Sequence, residues 1–447
     1  MNHDFNNVKK LWEYSMTTTP ELLARYKATL PSFVAPLHAE PISIDRGEGS
    51  YVWDLEGNKY LDWFGGVLTT MIGHSVPEVV QAVQEQAAKV MHTSTLYLSE
   101  PMISFAEEVA EISGIPDARV FFTASGSEAN DTAIQLACAY RGSNEILAMR
   151  NSYHGRSYTA QAITAQSSWS VANMSGLNVN FIQGGYRLRS PFRQLDDDAY
   201  TTACVDDLVQ MIDMGTAGDV AALIAEPIQG VGGFATPPDG FFGAFDKELK
   251  NRDILFISDE VQTGWGRTGD HFWGYQAHGI IPDILTFAKG VGNGVALAGC
   301  VARAEIMDSI KVLSFSTFGG NPLSIAAGRA TLKYVLDNNL QANAKARGER
   351  LARRLGPAVD DIEWIAELRG RGLMQAIETV QPGSIEPNTQ AAARLLDEAK
   401  DRNLLVGKGG LYGNVIRMAP MLSITEAELD EGIDALIAAI HAVDAAI

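Results

Sequence analysis

Short apolar runs alternate with helix-like stretches from about residue 76 to residue 325 of this chain. Strands that are buried on both faces read as nearly continuous apolar runs, and their alternation with helices is typical of a parallel sheet covered by helices. The helix-like stretches include residues 129–140 and 240–251. The apolar runs are Arg119–Thr123, Glu145–Met149, Asn178–Ile182, Ala221–Ala225, Ile254–Ile257 and Asp283–Ala288. The pattern therefore predicts an α/β fold with a mainly parallel sheet.

The segments on either side of this region predict a second, smaller unit. Residues 49–62 read as a hairpin, because Gly57 and Asn58 form a typical tight turn. Toward the C-terminus, residues 322–356 are helix-like, residues 360–378 and 404–418 are strand-like, and residues 425–446 form an amphipathic helix. We expect an N-terminal segment at 1–75 that joins a small lobe, a large domain at 76–325 and a C-terminal small domain at 326–447.

Composition argues against several classes of protein. The formal net charge of −19 disfavours nucleic acid or an anionic membrane as a partner, although a local pocket can still be basic. The longest apolar runs, such as Val220–Ala225, are too short to span a bilayer. Residues 1–10 lack the layout of a secretion signal, and the three cysteines, Cys138, Cys204 and Cys300, are widely separated. These features predict a cytoplasmic protein with free thiols.

Two reactive side chains stand at the ends of predicted strands. Lys289 directly follows the run 283–288, and Asp259 ends the run that begins at Ile254. A lysine amine forms a Schiff base with the aldehyde of pyridoxal phosphate, and a carboxylate keeps the pyridine nitrogen of that cofactor protonated. The pair therefore suggests pyridoxal-phosphate chemistry. A lysine at a strand end is more commonly a solvated surface charge, so the pair needs support from other sites.

Candidate phosphate and ring sites supply that support. The turn at Gly126 and Ser127 joins a strand to a helix start, where free amide groups favour a phosphate. The alternative is an ordinary connection with Ser127 as the N-cap. Residues 317–322 form a second small-residue turn with its own hydroxyl at Thr317. Tyr153 is a candidate to cover a flat ring, or else a buried core tyrosine.

The motifs of this chain resemble, in order, those of the class III pyridoxal-phosphate aminotransferases of fold type I. They are Ser125–Asn130, Tyr153–Gly155, Glu226–Gly230, Asp259–Arg267, Ala288–Gly290 and Thr317–Pro322. Within the family the chain is most similar to the alanine–glyoxylate aminotransferase 2 type, most clearly at Met91–Thr95, Asn293-Gly294 and Leu405–Arg417. The resemblance extends from the hairpin near residue 51 to the terminal helix. It implies a large domain with a mainly parallel seven-stranded sheet, a small α/β lobe built from both termini, and a homodimer with shared active sites.

The resemblance also implies roles for individual residues. Lys289 would be the catalytic Schiff-base lysine and proton shuttle, and Asp259 the catalytic partner of the pyridinium nitrogen. At the cofactor phosphate the resemblance implies Gly126, Ser127 and Thr317 of the partner subunit. At the ring it implies Tyr153 on the ring face and Gln262 near the ring hydroxyl. Three further cofactor-binding residues would surround these: His154, Glu226 and Val261.

Three positions, Arg417, Val231 and Val67, bear on substrate choice, and the predicted substrate-binding residues are Arg417, Val67 and Gly66. Arg417 matches the family's arginine that binds a substrate carboxylate. Family members that use ω-amino acids carry a glutamate after Glu-Pro-Ile-Gln-Gly that masks this arginine, and here that position is Val231. Ornithine aminotransferases have a tyrosine where this chain has Val67, next to Gly66. Both departures favour short α- or β-amino acids.

The predicted function is a ping-pong aminotransferase reaction from alanine, β-alanine or β-aminoisobutyrate to a keto acid such as glyoxylate or pyruvate. A racemase, a decarboxylase or a lyase of phosphorylated amines on the same scaffold is the alternative, because the same lysine and aspartate serve all of them. A cofactor-free binding protein is a third reading, which intact Lys289 and Asp259 disfavour.

Overall fold

The computed structural model describes residues 18–171 and 175–447. Residues 1–10, on which the expectation of no secretion signal rests, lie outside the described residues, and so does the start of the predicted N-terminal segment. In the described part no helix combines the length and apolar content needed to cross a bilayer.

The strands, in chain order, are β1 Ile44–Glu48, β2 Tyr51–Asp54, β3 Lys59–Asp62, β4 Ala118–Thr123, β5 Glu145–Met149, β6 Asn178–Ile182, β7 Ala222–Ala225, β8 Leu255–Asp259, β9 Ile284–Phe287, β10 Ala298–Arg303, β11 Ile365–Arg371, β12 Met374–Thr379, β13 Leu404–Leu405, β14 Gly407–Gly409 and β15 Val415–Met418. The helices are α1 Thr19–Thr29, α2 Gly65–Leu68, α3 Pro77–Lys89, α4 Glu100–Ser113, α5 Gly126–Arg141, α6 Tyr158–Ala162, α7 Asp197–Gly215, α8 Phe241–Asn251, α9 Ala304–Met307, α10 Pro322–Asp337, α11 Leu340–Val359, α12 Thr389–Lys400 and α13 Glu426–Asp444. Gly274–His278 and Lys289–Gly292 are single 3-10 turns.

The large sheet has seven strands in the order β4-β10-β9-β8-β7-β5-β6. Neighbours from β9 to β6 run parallel, whereas β10 is antiparallel to both β4 and β9. The expectation of a mainly parallel seven-stranded sheet is confirmed. Strand β10 was not among the six runs read from the sequence, because its small residues Ala298, Gly299 and Ala302 carry little of the β-branched signal that marks a strand.

Burial explains why four of these strands are visible in the sequence. Every residue of β5, β7, β8 and β9 is buried, so each is a short apolar run. Since the four strands are parallel, their carboxyl ends meet at one edge of the sheet. Ligands bind at this edge in open α/β sheets. The edge therefore gathers the residues that follow Met149, Ala225, Asp259 and Phe287.

Two small sheets complete the fold. The N-terminal strands form the sheet β1-β2-β3-β13, in which β13 from the C-terminal region pairs parallel with β3. The second small sheet has the order β11-β12-β15-β14. Segments from both ends of the described chain thus share one sheet, as expected of a lobe built from both termini. The predicted boundary at residue 325 falls inside α10, and the domain limits stay a prediction.

The helix-like tract at 322–356 is two helices. Helix α10 ends at Asp337 and α11 begins at Leu340, with Asn339 between them at φ 56°. A left-handed residue stops a helix, and asparagine tolerates that conformation better than most residues. Helix α12 between the two C-terminal strand regions was not read from the sequence, although its alanine- and leucine-rich buried face suits a helix.

Candidate functional site

A cavity of about 370 Å³ opens at the carboxyl edge of the large sheet. Its size lies within the usual range for small-molecule sites. Nine of the ten residues predicted to bind a cofactor line it: Gly126, Ser127, Tyr153, His154, Glu226, Asp259, Val261, Gln262 and Lys289. These residues come from five different loops, so the sheet and not the local sequence brings them together.

Lys289 begins the 3-10 turn that follows β9. Its backbone has φ 53°, a left-handed conformation that costs a non-glycine residue roughly 1–2 kcal/mol and is found mainly at functional sites. In the described part of the chain its amine has no hydrogen-bond or ion-pair partner. Burial lowers the pKa of Lys289 to about 8, while the carboxylates of Asp259 and Glu226 act in the opposite direction. The lysine is therefore half-buried at the cavity wall, unpaired among the described residues and partly neutral near physiological pH.

Asp259, at the end of β8, is held by three donors. Its Oδ2 lies 2.7 Å from Nδ1 of His154 and accepts a 2.8 Å hydrogen bond from Nδ2 of Asn130. Its Oδ1 accepts from the backbone N–H of Val261 at 3.1 Å. The carboxyl group is buried, so these contacts fix its orientation toward the cavity.

Asn130 is a site residue that the sequence reading did not single out, although it belongs to the quoted motif Ser125–Asn130. Its amide also donates to the backbone oxygen of His154, and its oxygen accepts from the hydroxyl of Thr286. It lies four residues after Gly126 on the buried face of α5. A polar residue on an otherwise apolar helix face was the signal that could have identified it.

The start of α5 forms the predicted phosphate site. The N-cap is Ser125, whose hydroxyl accepts from the N–H of Glu128, so the alternative that Ser127 caps the helix is wrong. The hydroxyl of Ser127 accepts instead from the N–H of Arg156 at 3.0 Å. A Cβ at Gly126 would lie 3.2 Å from the side chain of Val261, so the glycine gives the close backbone approach that an anion needs.

Glu226 lines the cavity and holds two backbone segments beside it. Its two oxygens accept from the backbone N–H groups of Tyr153 at 2.9 Å and Gly230 at 2.7 Å. Burial raises the pKa of Glu226 to about 7, and nearby His154 opposes that effect. The Tyr153 ring packs edge-on against Trp169, with 5.4 Å between centroids. Glu226 therefore orients both Tyr153 and the loop that begins at Gly230.

These residues fit pyridoxal phosphate. Two buried polar atoms at the cavity, Nε2 of His154 and Oε1 of Gln262, lack a hydrogen-bond partner in the described chain. An orphaned buried polar group costs about 1–3 kcal/mol, so such atoms favour a polar occupant. The unpaired amine of Lys289, the buried carboxylate of Asp259 and the open helix start at Gly126 are the donor set that an aldehyde, a pyridine nitrogen and a phosphate require.

Arg417 lies on β15 and is only 4% exposed. It donates to the backbone oxygens of Gly230 at 3.3 Å and Lys408 at 3.0 Å, and its guanidinium packs against the rings of Phe64 and Phe234. No carboxylate within the described ranges forms an ion pair with it, and its Nε has no partner there. Burial lowers the pKa of Arg417 to about 10. A buried, unpaired arginine close enough to influence Lys289 is suited to bind a carboxylate.

Like Arg417, the remaining predicted residues, Val67, Gly66 and Thr317, are not among the residues that line the cavity. Val67 and Gly66 stand on the kinked helix α2, with φ 67° and 57°, while Thr69 from the same segment reaches the cavity wall. Thr317 is exposed and lines a separate depression of its own subunit. A role for Thr317 therefore requires a partner subunit, as the resemblance implied, and the roles of all three stay predictions.

Comparison with known proteins identifies the family of this chain. The sequence matches the aminotransferase class-III family over residues 34–440. It is 37% identical over 427 residues to the mitochondrial "alanine–glyoxylate aminotransferase 2 homolog 2" of Arabidopsis thaliana, across 95% of this chain and 88% of that protein.

Two solved structures share the fold. An (S)-enantioselective omega-transaminase from Thermomicrobium roseum superposes with a TM-score of 0.88 at 32% identity, covering 96% of this chain and all of that one. An amine transaminase from an uncultivated Pseudomonas species, solved in its PLP-bound form, has a TM-score of 0.86 at 30% identity, covering 93% of this chain and 98% of that one. The family match spans the whole cavity and includes both Lys289 and Asp259. The chain therefore belongs to the class-III aminotransferases, the transaminases that use pyridoxal 5'-phosphate.

Proposed function

We propose that this enzyme transfers the amino group of a short α- or β-amino acid, of the alanine, β-alanine or β-aminoisobutyrate type, to glyoxylate or pyruvate. The proposal rests on two residues together: Arg417 is buried and has no carboxylate partner among the described residues, and position 231 is a valine. Val231 is buried, and its backbone oxygen accepts from the N–H of Gly410. The neighbouring Gly409 lies between that oxygen and Arg417, because a Cβ there would be 3.2 Å from the Val231 oxygen and 2.7 Å from Nε of Arg417. An aliphatic side chain there cannot neutralise the guanidinium. Arg417 is thus free to bind a carboxylate in both half-reactions.

The residues around the cavity have separate tasks in this reaction. Bound pyridoxal phosphate supplies the electron sink that lets the substrate carbon lose its proton. Lys289 moves that proton, for which a pKa near 8 leaves part of the amine neutral at working pH. Asp259, oriented by His154 and Asn130, holds a proton on the ring nitrogen. Arg417 orients the substrate through its carboxylate.

Replacing Arg417 with alanine is expected to raise the Michaelis constants for alanine and glyoxylate. Losing a two-pronged charged contact costs roughly 2–4 kcal/mol, or about 30- to 1,000-fold in kcat/KM. Isopropylamine, which carries a methyl group where alanine has its carboxylate, should be a poor donor for the parent enzyme and barely affected by the change. Steady-state kinetics on both donors tests this. A parent enzyme that prefers isopropylamine, or unchanged alanine and glyoxylate constants in the variant, contradicts the proposal.

Introducing a glutamate at position 231 tests the same pocket from the opposite direction. Val231→Glu should partly mask Arg417, because a carboxylate beside a buried guanidinium forms a strong ion pair. Alanine and glyoxylate should lose more activity than an ω-amino donor such as γ-aminobutyrate. Val231→Leu is the matched control, since it enlarges the side chain without adding charge. Equal losses in the two variants would show that only bulk matters.

We also propose a homodimer with shared active sites. Two neighbouring segments expose apolar side chains, and the segments contact each other through the rings of His92 and Phe318. The exposed apolar residues are Leu96, Tyr97, Leu98, Val312, Leu313 and Phe318. Large exposed apolar patches mark interaction surfaces. Thr317 lies within this patch, so a second copy that covers it would receive the hydroxyl near its own phosphate site.

The dimer proposal predicts that cofactor affinity and association are linked. Thr317→Ala should weaken cofactor binding, and added cofactor should shift a dilute sample toward the dimer in sedimentation experiments. Thr216→Ala is the control, because Thr216 is distant from Thr317 in sequence and its hydroxyl donates to the backbone oxygen of Ile212 at the end of α7. A fully active monomer would contradict the proposal.

Cytoplasm is the proposed compartment. All three cysteines are unpaired, which suits a reducing environment. The Arabidopsis relative is mitochondrial by name. Localisation of a tagged full-length chain in its own host tests the assignment.

A further inference from the structure

The loop Gly230–Gly233 is clamped by side chains from both parts of the molecule. Nδ2 of Asn151 donates to the backbone oxygen of Gly232 at 3.0 Å, and Arg417 donates to that of Gly230. Arg369 on β11 makes two hydrogen bonds to this loop, since its Nε and Nη2 both donate to the backbone oxygen of Gly233, at 2.9 and 2.7 Å. A Cβ at Gly233, which has φ 95°, would lie 2.9 Å from Nη2 of Arg369. The guanidinium therefore lies directly against this peptide.

A buried carboxylate holds Arg369 in this position. Nη1 of Arg369 donates to Oε2 of Glu378 at 2.6 Å and also contacts Glu367. The side chain of Glu378 is fully buried, and its other oxygen accepts from the hydroxyl of Tyr186 at 2.7 Å and from Arg189. Every face of the Glu378 carboxylate is engaged, so the fork of Arg369 has one orientation available.

The peptide that Arg369 grips is the one that sets Phe234. Phe234 follows Gly233 directly, is fully buried and has φ 53°. That left-handed backbone is unfavourable for an aromatic residue and persists only where surrounding contacts impose it. The ring of Phe234 lies 5.5 Å from the guanidinium carbon of Arg417. The contacts thus form a continuous series from Glu378 through Arg369 and the Gly233–Phe234 peptide to Arg417.

We infer that Arg369 is a positioning residue for the substrate carboxylate site, acting through Phe234 on Arg417. This inference rests on the proposed function, in which Arg417 binds the substrate carboxylate. Among residues 18–171 and 175–447, Arg417 has only two backbone acceptors at its Nη atoms and none at Nε. Its orientation therefore depends on the rings that pack against it, and one of those rings is set by Arg369. Arg369 thereby controls substrate affinity without touching substrate, whereas Arg417 on β15 of the same small sheet binds it.

Arg369→Lys tests the inference, because it keeps the charge beside Glu378 and loses the two-pronged grip on Gly233. We expect the Michaelis constants for alanine and glyoxylate to rise roughly 10-fold, since misplacing a positioned group by about 1 Å costs up to about 100-fold. The dissociation constant of propionate for the holoenzyme, measured by calorimetry, should rise by the same factor. The value of kcat at saturation, the rate with isopropylamine and the affinity for pyridoxal phosphate should stay within about 3-fold of the parent. Arg371→Lys is the matched control on the same strand, because Arg371 pairs with exposed Asp239.

Phe234→Leu provides a second, independent variant at the other end of the series. It removes the ring beside Arg417 while Arg369 and Glu378 stay intact, and it should give the same selective rise in the alanine and propionate constants. The double variant with Arg369→Lys should show less than the summed effect, because both changes act on one series of contacts. If Arg369→Lys does not fold, Phe234→Leu alone decides the outcome.

The outcomes separate this inference from the proposed function. Equal losses with alanine and isopropylamine, or weaker cofactor binding, would mean that Arg369 only stabilises the fold, and the inference would be overturned. If Arg417→Ala raises the alanine and propionate constants but Arg369→Lys and Phe234→Leu do not, the inference fails and the proposed function stands. If Arg417→Ala also leaves those constants unchanged, the proposed function is contradicted, and the inference that rests on it is contradicted with it.

Discussion

Lys289→Ala is expected to abolish turnover while leaving a folded protein that still binds cofactor. A proton transfer by a positioned side chain is worth about 10²- to 10⁴-fold, and the variant also loses the covalent attachment of the cofactor. We therefore expect kcat to fall by more than about 10⁴-fold. The measurement is single-turnover kinetics with alanine, together with the absorbance of the bound cofactor.

The control for Lys289 is Lys333→Ala, because Lys333 is an exposed lysine paired with Asp337 on α10. That variant should behave like the parent enzyme. Borohydride reduction followed by peptide mapping offers a direct check, since it should tag Lys289 in the parent. A different tagged lysine, or more than trace activity in Lys289→Ala, would show that the assignment is wrong.

Asp259→Asn is expected to have the second largest effect. An amide cannot stabilise a protonated ring nitrogen, so the substrate carbon should lose its proton about 10²- to 10³-fold more slowly, or worse. The cofactor should still bind, because Gly126, Ser127 and Lys289 remain. Pre-steady-state kinetics of the alanine half-reaction measures the step directly.

The hydrogen bonds of Asp259 sharpen this test. Nδ1 of His154 and Nδ2 of Asn130 both lie within hydrogen-bond distance of Oδ2 of Asp259. An asparagine at position 259 would meet the same two groups, and Asn130 would still present its amide nitrogen as a donor. Asp213→Asn, at an exposed ion pair with Arg252, is the matched control and should leave the rate unchanged. Near-normal turnover in Asp259→Asn would remove this residue from the mechanism.

The strands and reactive residues were predictable because burial leaves a local trace in the sequence. Strands β5, β7, β8 and β9 are buried on both faces and therefore appear as apolar runs. Asp259 was identifiable as the last residue of one such strand, and Lys289 as a residue just after another. The family match confirms the class-III assignment and the cofactor, and the observed sheet confirms the fold.

Strand β10 shows where local pattern fails. It pairs with the edge strand β4 on one side and with β9 on the other, yet its sequence Ala-Gly-Cys-Val-Ala-Arg contains few strand-forming residues. Small residues are tolerated there because ladder hydrogen bonds on both sides and packing against neighbours hold the strand. Tertiary context overrides intrinsic preference in such positions.

The sequence by itself determined the α/β class and the family, and it predicts the chemistry of Lys289 with Asp259, because each depends on short segments whose burial and motif are local. Only the tertiary structure decided how Asn130 and His154 orient Asp259, and that Arg369 grips the Gly233 peptide 136 positions earlier in the chain. Those contacts join residues that are distant in sequence, and their partners are chosen by how strands and loops pack. No local pattern records that choice, since a hydrogen-bond partner is specified by geometry across the fold and not by the neighbouring residues.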